Sequence, residues 1–78
     1  MNEFFAFDRS QARAAQRRKL EGLLADEARA VQVRRAVRER ASRVDELLHA
    51  ERYLESLRAR IEHERAALAR LEGQREIA

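Results

Sequence analysis

The chain has no cysteine and no proline, and only two glycines and four aromatic residues among 78. Without cysteine there is no disulfide to staple a small fold, and no thiol to act as nucleophile or metal ligand. Without proline nothing breaks a helix from within. With glycine reduced to Gly22 and Gly73, the tight turns that join short β-strands have little to form from. No apolar run approaches the ~20 residues of a membrane-spanning helix, and the cluster Phe4-Phe5-Ala6-Phe7 lacks the basic leader and long apolar region of a secretion signal. These absences point to a soluble, cytoplasmic protein built from helix.

Ala, Arg, Glu and Leu dominate what remains, and charged residues make up 40% of the chain, the composition of long helices and coiled coils. The hydrophobic share of 45% includes 15 alanines, so larger apolar side chains are few and a lone copy has a thin core. The net charge of +3 is unevenly spread: residues 1–43 carry 11 Arg or Lys against 6 Asp or Glu, and residues 44–78 carry 6 against 8. The halves are electrostatically complementary, which favours laying one against the other.

Periodicity gives the architecture. Leu47, Leu54, Ile61 and Leu68 repeat every seven residues, with Ala50, Leu57, Glu64 and Leu71 each three further on, a coiled-coil seam that only Glu64 violates. In the first half, Leu20, Leu23, Ala30, Val37, Ala41 and Val44 share a stripe that Leu24 and Val31 widen and that Glu27 and Arg34 interrupt. The two stripes join out of phase near Arg40–Glu46. In that stretch Ser42, with Asp45 three residues on, has the pattern of a helix N-cap. The fold expected is all-α, an antiparallel two-helix coiled-coil hairpin completed by self-association or a partner helix; one long helix in a coiled-coil dimer is the alternative. Helix 1 is placed at about 8–40, capped by Asp8 with Gln11, the turn at 40–43 and helix 2 at about 42–72 with Gly73 just past its end. Residues 1–7 read as an aromatic tail and 74–78 as a frayed end. Gly22 is either a weak point in helix 1 or a place of close helix approach.

A turn near residues 41 and 42 pairs positions whose numbers sum to 83 or 84. That rule sets Val37 near Leu47, Ala30 near Leu54 and Leu23 near Ile61. It also sets Leu20 or Lys19 near Glu64, and Lys19, the only lysine, is well placed to reach what otherwise would be an unpaired acid in the seam.

Catalysis has little to stand on, because one shallow groove between two helices encloses no space in which to perturb a pKa, and Ser10 and Ser42 read as capping or surface residues. His49 and His63 lie outside the seam and about 21 Å apart along one helix, too far to share an ion. No catalytic residue, cofactor or metal site is expected. The function expected is a non-enzymatic protein–protein interaction module, whose partner-binding candidates are Phe4, Phe5, Phe7, Leu20, Leu24 and Val31. The Phe cluster has two uses open to it: folding back over the end of the hairpin, or anchoring in a partner. The alternative is a nucleic-acid-binding hairpin using Arg13, Arg17, Arg34, Arg35 and Arg38 on helix 1. Against that stand the interleaved acids and the confinement of the aromatics, Tyr53 apart, to the N-terminal tail.

Overall fold

A computed structural model describes residues 2–40 and 43–73, with side chains from residue 9 onward within those ranges. Two helices, α1 (Asn2–Glu39) and α2 (Val44–Gly73), pack against each other as an antiparallel hairpin. The molecule measures 60 × 15 × 14 Å, whereas 78 residues in one continuous helix would reach ~117 Å.

The reversal falls where the two stripes lose phase. Among the described residues the last α1 bond runs from Arg40 N to the Ala36 carbonyl at 3.0 Å, and the Arg43 carbonyl accepts from Glu46 N at 3.1 Å and Leu47 N at 3.2 Å. The first carbonyl of α2 therefore belongs to Arg43, which occupies the N-cap position. Ser42, expected to fill that position, lies outside the described residues. Asp45 and Glu46 stand in the first turn of α2, where their charge complements the free N–H groups, and the Asp45 carboxylate accepts from Glu46 N at 3.1 Å. Val44, expected on the apolar stripe, is 74% exposed. It opens α2 at the change of direction, one turn before the seam of that helix begins at Leu47.

α1 begins at Asn2 rather than at Asp8. The segment bearing Phe4, Phe5 and Phe7, expected as a tail ahead of the helix, is thus part of α1. Neither Gly nor Pro occurs before Gly22, so nothing stops a helix from propagating through Asp8. At the other end Gly73 is the last helical residue of α2, and residues 74–78, including Ile77, lie outside the described residues.

The core follows the seven-residue seams. Leu23, Ala30, Leu54, Leu57 and Ile61 form one buried cluster, and Val37 and Ala50 are buried nearer the turn. Leu54 is 1% exposed, the most deeply buried large side chain. Every seam position of α2 from Leu47 to Leu71 is buried or half-buried. On α1 the matching positions are Gln16, Leu23, Ala30 and Val37 in one row and Arg13, Leu20, Glu27 and Arg34 in the other, again all buried or half-buried. Half of the α1 seam is therefore polar, and the hairpin stands on few apolar layers. Gly22 does not serve close packing: a Cβ there would meet nothing within 4 Å.

Candidate interaction surface

The buried acid of the seam lies where the register rule places it. Lys19 Nζ stands 3.3 Å from Glu64 Oε1, joining α1 to α2 across residues whose numbers sum to 83. Gln16 adds a second partner: its Nε2 donates to Glu64 Oε2 at 2.5 Å and to the Glu64 main-chain carbonyl at 3.1 Å. The hydrogen bond from Gln16, with Lys19 beside it and His63 more weakly, holds the Glu64 carboxyl below the usual glutamate value, against the opposing effect of burial. Among the described residues no buried side-chain nitrogen or oxygen lacks a partner. This cluster is therefore satisfied internally and serves register rather than a ligand. The role of Gln16 escaped the sequence reading, although its spacing of seven before Leu23 marks it as a seam residue.

The two long edges of the hairpin differ. On one, Arg17 pairs with Glu72 at 3.1 Å and Arg38 with Glu51 at 2.9 Å, the two bridges lying 21 residues apart on each helix. Between them Arg58 Nε meets Glu27 Oε2 at 3.0 Å, giving the acid that interrupts the α1 seam a cation from α2. Leu24 and Val31 lie on this edge and, with Leu20, pack half-buried against the core cluster. Those three candidates for partner binding thus have most of their apolar area committed to the hairpin itself.

The opposite edge carries no cross-helix ion pair between the turn and Lys19 among the described residues. At its centre are Val33 of α1, 55% exposed, and Tyr53 of α2, 52% exposed, facing each other across a shallow groove. The turnward part of the groove has a volume of about 670 Å³, with Val37 and Ala50 in its floor and Asp45, Glu46 and His49 along its rim. It continues away from the turn past Ala30 to Asp26 and Arg29, which pair with each other on one turn of α1. Small residues at Ala30 and Ala50 make the depression, and the branched and aromatic side chains of Val33 and Tyr53 make its apolar walls. Neither wall residue stood out in the sequence, because both lie beside the seam rather than in it.

The arginines of α1 do not gather into one face. Arg17 and Arg38 are engaged by glutamates, Arg13 and Arg34 are half-buried at seam positions, and Arg35 is exposed. Arg34, Arg35 and Arg38 do line one open depression with Val31 and Glu39. His49 sits on the groove rim and His63 is exposed beside Glu64. No three His, Asp or Glu side chains converge as a metal ion would require, among the described residues. No helix among them is long and apolar enough to cross a membrane. Phe4, Phe5 and Phe7 occupy the first two turns of α1, beyond the last described cross-helix pair, Arg17 with Glu72. Comparison with known proteins gives no match: no family model, no curated protein and no solved structure aligns with the chain.

Proposed function

We propose that the chain is a non-enzymatic protein–protein interaction module, an adaptor, small chaperone or assembly subunit of the cytoplasm. The observation that carries this is the asymmetry of its edges. One edge is closed by three cross-helix ion pairs, and the other leaves Val33 and Tyr53 exposed on either side of an apolar groove. A contiguous apolar strip on so small a protein is the kind of surface that protein partners cover. The second contribution is the N-terminal end of α1, where three of the four aromatic residues lie within two helical turns. Aromatic side chains bring large buried area at low entropic cost, which suits an anchor. A chain without cysteine suits a reducing compartment.

Replacing Phe4, Phe5 and Phe7 together by Ala tests the anchor. Helicity by circular dichroism is expected to persist, since Ala is the better helix former, while a specific co-purifying protein is lost. Unchanged co-purification would remove the N-terminal cluster from the binding surface.

The nucleic-acid alternative is favoured by one feature, the depression where Arg34, Arg35 and Arg38 converge. It calls for binding that weakens steeply with salt and disappears when those three become Glu. No retention of a mixed DNA and RNA pool at low salt would exclude it.

A further inference from the structure

The open edge has a property that selects its occupant. On α2, Glu46 lies one heptad from Tyr53 toward the turn and Arg60 one heptad from it the other way; on α1, Arg40 and Asp26 flank Val33 at the same spacing. Each helix thus shows opposite charges at equal distances on either side of the apolar centre. A surface of that kind is complementary to itself when turned end for end.

The exposed area points the same way. The hairpin exposes 6306 Å², whereas a compact monomer of 9.1 kDa exposes roughly 4,900 Å² by the usual scaling with mass. The surplus of ~1,400 Å² exceeds the ~800 Å² that each partner gives up to an interface of standard size. One further hairpin laid on the open edge accounts for much of it. The floor of Ala30 and Ala50 lets another helix approach closely, and Val37 and Ala50, buried but bordering the groove, are positioned to become the centre of a four-helix core.

We propose that a second copy of this chain occupies the groove, related by a two-fold axis through the level of Val33 and Tyr53 and running antiparallel to the first. Glu46 of each copy then faces Arg60 of the other, and Arg40 faces Asp26. The antiparallel arrangement also keeps the exposed arginines of the two turns, Arg35, Arg40 and Arg43, at opposite ends of the pair. This deepens the reading of the chain as an interaction module by naming the partner on one edge. It leaves the N-terminal Phe cluster free for a different protein.

Sedimentation equilibrium of the purified chain over a wide concentration range tests it, with no other protein present. A mass of twice 9.1 kDa at high concentration is expected, falling toward one chain on dilution. Val33→Glu with Tyr53→Glu is expected to give monomer. Because that variant also loses stability if the hairpin depends on its partner, the charge reversal Glu46→Arg provides a second test at an exposed site. It is expected to weaken dimerisation about ten-fold, through two symmetry-related like-charge contacts, and adding Arg60→Glu is expected to restore it. A monomer at every concentration, or a dimer indifferent to Val33 and Tyr53, would overturn the proposal. Rescue of Glu46→Arg by Arg40→Glu but not by Arg60→Glu would overturn the antiparallel arrangement. Loss of the Phe-dependent co-purifying protein leaves these masses unchanged, so the two readings fail separately.

Discussion

Lys19 Nζ lies 3.3 Å from Glu64 Oε1, and this contact between the only lysine and the only buried acid among the described residues fixes how α1 slides along α2. A slip by one heptad takes Lys19 away from Glu64 and sets that carboxylate beside Asp26 and Glu27 in one direction or beside Ala12 and Arg13 in the other. The pair thereby discriminates among registers, although desolvation offsets much of its own attraction. Replacing Glu64 by Leu is expected to hold or raise the thermal midpoint while broadening the distribution of label distances between the helices. Replacing Lys19 by Ala is expected to lower the midpoint, because it leaves the acid with Gln16 alone. A narrow, unchanged distance distribution in Glu64→Leu would deny the pair its register role.

Stability is expected to fall in acid in a way that Glu64 accounts for in part. The Gln16 hydrogen bond and the Lys19 charge favour the ionised carboxylate, so the folded-state pKa lies below the unfolded one. The associated stabilisation is complete above that unfolded value and is lost as pH falls through the lower, folded one. Thermal midpoints measured from pH 7 downward should drop below about pH 4 in the native chain and drop less in Glu64→Gln. Equal acid sensitivity in both would exclude the linkage.

Leu54 is expected to be the costliest single truncation. It is 1% exposed at the centre of the cluster, and Leu→Ala at such sites typically removes ~2–5 kcal/mol, a large share of what a two-helix fold possesses. Leu48, 44% exposed, is the control, and its replacement by Ala is expected to change stability by no more than about 0.5 kcal/mol. Urea denaturation followed by circular dichroism measures both, and similar values at the two sites would contradict the core described.

Gly22→Ala is expected to stabilise the hairpin by roughly 1 kcal/mol, the helix-propensity difference, because the added methyl meets open space in the middle of α1. A loss of stability would mean that something packs on Gly22 in solution.

The ion pairs of the closed edge contribute little by comparison. Arg17 with Glu72 and Arg38 with Glu51 are about half exposed on both sides, and such pairs are worth ~0–1 kcal/mol. Raising salt to about 1 M, where screening acts within ~3 Å, is expected to leave helicity nearly unchanged. A double-mutant cycle on Arg38 and Glu51 should return a coupling inside that range. A larger coupling would promote this edge from seal to energetic support.

The hairpin was legible in the sequence because Leu47, Leu54, Ile61 and Leu68 keep strict seven-residue spacing and the α1 stripe loses phase with them near Arg40. The contact of Lys19 with Glu64 was legible because a polar residue in an apolar seam demands a specific partner, and the register left one cation within reach. The start of α1 was misplaced. A cap signal at Asp8 is local, and helix propagation through Phe4–Phe7 meets no residue able to stop it. The open edge could not be read in advance, since Val33 and Tyr53 flank the seam and only the packed helices show which flanks are sealed by ion pairs and which are not. Leu20, Leu24 and Val31, the candidates for a partner on the α1 stripe, are half-buried on the hairpin's own core.

The distinction between a sealed and an open edge depends on the chain reversing between Arg40 and Arg43. Spin labels at Ala15 and Ala69, both exposed and away from the seam, measure that directly in chains diluted with unlabelled protein so that only intramolecular distances count. With helix axes 8–10 Å apart, the hairpin gives a distance below about 25 Å. A distance near 81 Å, the ~1.5 Å rise over the intervening residues of one continuous helix, would contradict the fold and with it the two edges.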